Sequence, residues 1–279
     1  MTDRYAVIGN PIEHSLSPLI HAEFARATGE DIAYGAIRAP RDGFREAVFK
    51  FRDEGGKGLN VTLPFKREAW QLADTRSPLA LEAGAVNTLK FEDGAIVGHN
   101  TDGIGLVRDL EQNLGCALRG RRVLLMGAGG AAYGVLAPLA RAQPEILVVA
   151  NRTLERAVAL VGHFEKFQSF VARGILARPY SELGGAPFDL VINATAAGLA
   201  GALPPLPRAL FAPGALAYEM LYGRETAFMQ FARERGARVA DGLGMLVEQA
   251  AESFHFWRGV RPATAPVLEF LRARRGARP

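Results

Sequence analysis

A short apolar strand that runs straight into a glycine turn, and from there into a helix, is the feature that most narrows what this chain folds into. Val123-Leu124-Leu125-Met126 leads into Gly127-Ala128-Gly129-Gly130-Ala131-Ala132, and a helical pattern continues to about Arg141. Glycine at the first and third of these positions permits a tight turn and a close approach of backbone to a bound group. A small residue at the sixth lets the helix pack on the strand. Backbone N–H groups at the helix start then face an anion. In this strand–turn–helix setting the pattern points to a dinucleotide; the alternative is a tight turn that serves packing alone. The run from Val123 to Ala140 is free of charge and could pass for a membrane span, but four glycines and Pro138 suit a turn in an α/β unit better.

The following strand bears on which dinucleotide. A site for NAD ends that strand with an acid that binds the ribose 2′-hydroxyl. Here Ile146 to Ala150 runs into Asn151-Arg152-Thr153, with Arg156 one turn into the next helix. Two guanidinium groups stand where a 2′-phosphate sits, and arginine's planar fork of donors suits phosphate. The reading is NADP; a plain surface residue at a strand end is the alternative for Arg152. Thr153 also reads as the helix N-cap.

Elsewhere short apolar runs alternate with helical patterns, which predicts an α/β chain with parallel sheets. Tyr5 to Ile8, Ile32 to Ile37 and Gly58 to Thr62 read as strands, and Val86 to Phe91 with Ala95 to Val97 as a hairpin around Asp93-Gly94. Ser17-Pro18 reads as an N-cap followed by proline at the first helical position. A helix is expected from about Asp102 to Leu114. Apolar helices over about Leu243–Trp257 and Thr264–Ala273 are expected to return to the first domain. The organisation is therefore two domains: 1–102 plus 242–279, an N-terminal α/β substrate domain completed by C-terminal helices, and 103–241, a Rossmann NADP-binding domain. The 279 residues suit two domains. A net charge of +4 could suggest nucleic acid, but the arginines are scattered, and the one dense cluster, Arg272, Arg274, Arg275 and Arg278, reads as a solvated terminus. The single cysteine, Cys116, rules out an intrachain disulfide, and no Cys/His metal spacing occurs. The start of the chain has no signal-peptide pattern, so the cytosol is expected.

Polar groups interrupt the apolar pattern in three places. In Gly9 to Pro18, Ser15 and Ser17 flank a leucine just before a helix, where both hydroxyls suit a substrate carboxylate. His14, beside them, reads as a structural histidine. In Asn60-Val61-Thr62-Leu63-Pro64-Phe65-Lys66 the lysine falls in the first turn of a helix, where a cation opposes the helix dipole at a cost of roughly 0.3–1 kcal/mol. A lysine so placed suits acid–base work; a solvated lysine at a loop is the alternative. Asn87 breaks the run Ala85 to Leu89 and needs a hydrogen-bond partner, or else marks a bulge. In Asn100-Thr101-Asp102-Gly103, Asp102 either caps the helix that follows or supplies a charge that orients Lys66. Gln249 shares a helix face with Met245 and Phe256.

Taken together these segments resemble the shikimate dehydrogenase family along nearly the whole chain and in the same order. Gly9 to Pro18, Asn60 to Lys66, Gly84 to Thr88 and Asn100 to Gly103 match its substrate half. Gly127 to Gly130, Asn151 to Thr153 and Asn193 to Thr195 match its cofactor half, and Asp241 to Leu246 with Gln249 matches its closing segment. The resemblance implies reversible reduction of 3-dehydroshikimate to shikimate by NADPH, a step of aromatic amino-acid biosynthesis. It implies that Lys66 and Asp102 flank the reacting oxygen, that Ser15 and Ser17 bind the carboxylate, and that Asn60, Thr62, Asn87, Tyr222 and Gln249 hold the rest of the substrate. For the cofactor it implies Gly127, Ala128, Gly129, Gly130, Ala131, Asn151, Arg152, Thr153, Arg156, Ala194, Thr195, Met220 and Gly242. His99 stands where Asp often precedes Asn-Thr-Asp, Ala196 and Ala197 replace small polar residues, and Tyr133 stands where a basic residue is frequent. The expected partners are the small-molecule substrate and NADP, with no nucleic acid, no membrane and no metal, in a monomer or homodimer. Two rivals are a quinate-accepting relative of broader specificity and a dinucleotide-binding regulator without catalysis; Lys66 and Asp102 argue against the second.

Overall fold

A computed structural model describes residues 2–167, 174–195 and 203–276. Of the residues singled out above, Ala196, Ala197 and Arg278 fall outside this set. The chain divides into two compact units, Met1–Gly105 with Leu246–Pro279, and Leu106–Met245.

The first unit is built on a six-stranded mixed sheet. Its strands are β1 (Asp3–Gly9), β2 (Ile32–Arg38), β3 (Gly56–Val61), β4 (Thr75–Arg76), β5 (Thr88–Glu92) and β6 (Ala95–His99), in the order β2-β1-β3-β5-β6-β4. β1 pairs in parallel with both β2 and β3, and β5 runs antiparallel to β3 and β6. Asp93 and Gly94 turn the β5–β6 hairpin with φ of 50° and 79°, the left-handed pair that a two-residue hairpin loop demands. The helices are α1 (Ser17–Thr28), α2 (Phe44–Asp53), α3 (Lys66–Leu72), α4 (Pro78–Ala83) and, after the second unit, α9 (Leu243–Arg258) and α10 (Ala265–Gly276). α2 buries Phe44, Val48 and Phe51, a face repeating at three and four residues. The short elements β4 and α4 fall outside the sequence expectation, although Ser77-Pro78 and Gly84 bound α4 as a cap, a first-turn proline and a stop.

Phe24, Phe254 and Trp257 surround His21 of α1, which stacks face to face on Tyr34 at 4.1 Å between ring centroids. Among the described residues neither buried ring nitrogen of His21 makes a hydrogen bond of good geometry, and burial pushes its pKa down to about 3, with the nearby Asn60 side chain acting against it. The ring is therefore neutral in the fold, while the unfolded chain takes up a proton near pH 6.5. The stability this neutrality provides is complete above pH 6.5 and drains away as pH falls towards 3. Between pH 7 and pH 5, urea unfolding of the wild type should lose about 2 kcal/mol more than that of His21→Phe. Parallel losses in the two proteins would remove His21 as the cause.

The second unit is an all-parallel sheet of β7 (Arg122–Met126), β8 (Ile146–Ala150), β9 (Ile175–Arg178), β10 (Phe188–Asn193), β11 (Phe211–Glu219) and β12 (Arg238–Asp241), in the order β12-β11-β10-β7-β8-β9. The strand order reverses between β7 and β10, the place where a doubly wound sheet binds a dinucleotide. β7 and β8 are buried along four of their five residues, as strands covered on both faces are. α6 (Gly130–Arg141) and α7 (Leu154–Glu165) pack on one face, and α8 (Ala227–Arg233) on the other. Among the described residues no helix is long and apolar enough to cross a membrane, and the Val123–Ala140 run is β7, the turn and α6.

Two details differ from the sequence expectation. Leu16, not Ser17, occupies the cap position of α1, and Ser17 is already helical. Ser15 takes over part of the capping by accepting from the Ser17 N–H at 3.3 Å. The helix expected over 102–114 is α5 (Asp102–Arg108), continued by one π-helical turn over Asp109–Asn113. The wider turn lets the buried Asp109 accept from the Tyr218 hydroxyl at 2.6 Å and from Asn113 at 2.9 Å.

Candidate active site

The loops that follow β1 and β3 lie side by side. Asn10 donates its N–H to the Leu63 carbonyl, Thr62 donates to the Ile8 carbonyl, and both loops contain a cis proline, Pro11 and Pro64. These loops bring Ser15, Ser17, Thr62 and Lys66 to the carboxyl ends of two neighbouring strands, beside Asn60 of β3.

Lys66 opens α3, and its Nζ lies 2.6 Å from Asp102 Oδ2. The side chain of Asp102 is 9% exposed and that of Lys66 24%, so the pair is shielded but reachable from one side. Asp102 opens α5, where a carboxylate is favoured by the helix dipole and offsets the poor placement of the lysine. Asp102 does not serve as a helix cap. Asn100 Oδ1 accepts the Asp102 N–H at 3.1 Å, and the second carboxylate oxygen of Asp102, Oδ1, accepts from Asn87 Nδ2 at 2.8 Å.

Asn87 is the hub of the site rather than a bulge. Its Nδ2 also lies 2.9 Å from Thr101 Oγ1 and 3.3 Å from Gln249 Oε1, and its Oδ1 accepts the Thr101 N–H at 2.9 Å. Asn60 is tied into the same network. Tyr34 donates its phenol hydrogen to Asn60 Oδ1 at 2.7 Å, and Asn60 Nδ2 donates to Ser253 Oγ and Thr88 Oγ1 at 2.9 and 3.1 Å. Burial pushes the Tyr34 phenol upward, with the Ser17 hydroxyl acting against it. The sequence pattern alone did not single out Ser253 or Tyr34. Ser253 lies one turn beyond Gln249 on α9, and a second polar residue on that helix face is the signal that could have found it. Ser15, Thr62 and Gln249 are partly exposed and Asn60 is buried.

In the second unit, Gly127 takes φ +105°, and a Cβ there would fall 3.0 Å from the Ala194 carbonyl oxygen. Glycine is required on both counts. Among the described residues, nothing lies within 4 Å of a Cβ built on Gly129 or Gly130, while Ala132 is fully buried against the core. Open backbone at the turn and tight packing one step into the helix is the division of labour a pyrophosphate site needs. Gly129, Gly130 and Ala131 are exposed and Ala128 is partly so. Asn151, Arg152 and Thr153 follow β8; Arg152, Thr153 and Arg156 are exposed. Thr153 occupies the cap position of α7 without a side-chain capping bond. Tyr180, after β9, is pushed up to about 12 by burial, with the nearby Arg152 charge opposing it. Gly242 is held against the neighbouring loop, since a Cβ there would collide with the Met220 carbonyl. Met220 and Tyr222 follow β11 and are partly buried.

Three family models match the chain: the shikimate dehydrogenase substrate binding domain over residues 7–89, shikimate / quinate 5-dehydrogenase over 109–199, and the shikimate 5′-dehydrogenase C-terminal domain over 242–272. A shikimate dehydrogenase (NADP(+)) from Methylobacillus flagellatus is 58% identical over 97% of this chain and 99% of its own length. The chain belongs to the shikimate dehydrogenase family. Among solved structures, an Ael1 enzyme from Pseudomonas putida shares 54% identity at a TM-score of 0.91 over 97% of this chain and 98% of its own. Shikimate 5-dehydrogenase from Thermus thermophilus, solved with NADP(H) and shikimate, shares 34% at 0.85 over 98% and 99%.

His99 and Tyr133, both singled out in the sequence, have local partners. Ser77 Oγ accepts the Ala80 N–H as the cap of α4, so its hydrogen is free for His99 Nδ1, 2.6 Å away. Burial pushes His99 down to about 4, which keeps it neutral and able to accept. His99 thereby ties α4 to the segment that leads into Asn100 and Asp102. Tyr133 packs against His163 at 5.4 Å and against the core.

Proposed function

We propose that this chain catalyses the reversible NADPH-dependent reduction of 3-dehydroshikimate to shikimate in the route to the aromatic amino acids, with Lys66 and Asp102 as its catalytic residues. The observation that carries the reading is the Lys66–Asp102 pair at 2.6 Å, its second carboxylate oxygen held by Asn87. NADPH, when bound, supplies a hydride to the ketone carbon. The carbonyl electrons then collect on the oxygen, and the Lys66 ammonium stabilises that charge and delivers a proton. Asp102 orients the amine and is itself oriented by Asn87, so the reacting geometry is set before substrate arrives. In the oxidative direction the same lysine takes the proton.

The first unit is read as the substrate domain and the second as the NADP domain. Ser15 and Ser17 bind the carboxylate; Asn60, Thr62, Asn87, Tyr222 and Gln249 hold the ring and its hydroxyls. The open glycine turn takes the pyrophosphate and Arg152 with Arg156 the 2′-phosphate. The enzyme is read as cytosolic, a monomer or homodimer. The deciding assay follows NADPH oxidation with 3-dehydroshikimate, with dehydroquinate as the parallel substrate. Absence of turnover in the folded protein would leave only a dinucleotide-binding regulator, and comparable rates on both would broaden the substrate class.

Ser15→Ala and Ser17→Ala should chiefly raise KM, because the carboxylate is present in the ground state and the transition state alike. Each lost hydrogen bond to a charged group is worth about 1.5–3 kcal/mol, or roughly 10- to 100-fold in KM. Steady-state kinetics decide it: a fall in kcat at constant KM would give these hydroxyls another role.

A further inference from the structure

The ends of β10 and β11 are joined by a buried carboxylate that takes no part in the chemistry above. Glu219, the last residue of β11, is 0% exposed. Three donors converge on it. Asn193 Nδ2 and Thr226 Oγ1 reach Oε2 at 2.7 and 2.9 Å, and the Leu221 N–H reaches Oε1 at 3.1 Å. Burial pushes the carboxyl upward, and these three donors together with the Arg224 charge pull it back.

The other bonds of these donors fix where every hydrogen lies. Thr226 Oγ1 accepts the Met229 N–H as the cap of α8, so its own hydrogen is the one aimed at Glu219. Asn193 turns its amide nitrogen to the carboxylate, so its carbonyl oxygen faces the opposite way. There it accepts from the Thr195 N–H at 3.1 Å and from the Thr195 hydroxyl at 2.7 Å. An ionised carboxylate only accepts, and it therefore allows a single orientation of the Asn193 amide. Thr195 in turn spends both of its hydrogens on Asn193 and turns only oxygen lone pairs outward. It borders the glycine turn: its methyl carbon lies 3.2 Å from where a Gly127 Cβ would be.

We infer that Glu219 is a positioning residue for the dinucleotide: it sets the hydrogen-bond polarity of the Asn193–Thr195 turn, so that Thr195 presents an acceptor to a hydroxyl or amide N–H of bound NADPH. This rests on reading the second unit as the NADP site. It differs from a merely structural role in its consequences. In Glu219→Gln the new amide group sets a donor against donors, and the nearest relief is a flip of Asn193, which dismantles the Thr195 turn.

The experiment is a titration of NADPH onto the whole protein by cofactor fluorescence, with thermal unfolding alongside. Glu219→Gln should raise the NADPH Kd about tenfold, the usual scale for a misdirected buried hydrogen bond. Thr195→Val, which leaves the Glu219–Asn193 bond in place, should raise Kd to a similar degree without lowering the unfolding temperature. Thr195→Ser should restore binding, and the double variant Glu219→Gln/Thr195→Val should bind no worse than the weaker single variant. A lower unfolding temperature for Glu219→Gln with Kd within about twofold of wild type would overturn the inference, as one lost structural hydrogen bond then accounts for everything. Wild-type Kd in Thr195→Val would overturn it as well, even if Glu219→Gln does not fold. Failure of the NADP reading is distinguishable, because the wild type itself would then show no saturable NADPH binding.

Discussion

Lys66→Ala should fold, bind NADPH and turn over roughly 10²–10⁴-fold more slowly, the usual worth of a positioned acid–base group. Folding survives because Asp102 keeps the Asn87 amide at 2.8 Å and its place at the start of α5, so the orphaned carboxylate is still solvated by the protein. Removing a cation from the first turn of α3 also relieves an unfavourable contact with the helix dipole. NADPH binding survives because the glycine turn and Arg152 belong to the other unit. The loss should fall on kcat, since the oxygen gains charge only as hydride arrives. Asp102→Asn should lose a comparable amount. Its amide must turn an N–H towards either Lys66 Nζ or Asn87 Nδ2, both of them donors. The double variant should lose less than the product of the two singles, because the residues act as one unit. Steady-state kinetics on the four proteins, with circular dichroism as the folding control, make the comparison. A kcat near wild type in folded Lys66→Ala would sink the mechanism and leave the family assignment standing.

Arg152→Ala should erase most of the preference for NADPH over NADH. A charge-assisted bond to phosphate contributes about 1.5–3 kcal/mol, so kcat/KM with NADPH should fall roughly 10- to 100-fold. With NADH, which lacks the 2′-phosphate, the change should be small. Arg152 is exposed at the end of β8, and its removal leaves the buried strand intact. Arg156, on the first turn of α7, is the second proposed phosphate ligand, so the residual preference should vanish only in the double variant. Equal losses with the two cofactors would show that Arg152 acts on something both of them share.

Most of the fold was legible because its signals are local. The Gly127 turn needs glycine whatever the rest of the chain does, the buried strands β7 and β8 are continuous apolar runs, and Asp93-Gly94 dictates its own hairpin. The Lys66–Asp102 pairing was legible for a related reason: a lysine in a first helical turn conflicts with local electrostatics and requires an outside explanation. What escaped was fixed by partners far along the chain. Ser253 meets Asn60 across 193 positions, and Tyr34 meets it across 26. Glu219 carries no local signal, because its role depends on the sheet that places Asn193 beside it. The π-turn at Asp109 was equally hidden, because it answers to Tyr218, 109 residues away. The two-residue β4 and six-residue α4 are too short for a period to register.

The chain leaves its first unit at Gly105 and does not return until Leu246. Ser253, Gln249 and Trp257, which bonds the Leu89 carbonyl, and Arg258, which pairs with Asp3 and Glu30, all sit on the returning helix. During synthesis on the ribosome, the second unit has its entire sequence in hand while the strands made before it still wait for the helix that covers them. A chain that ended before Leu246 would lack Gln249 and Ser253 of the polar network, and the face that His21, Phe24 and Tyr34 share with Phe254 and Trp257 would be bare.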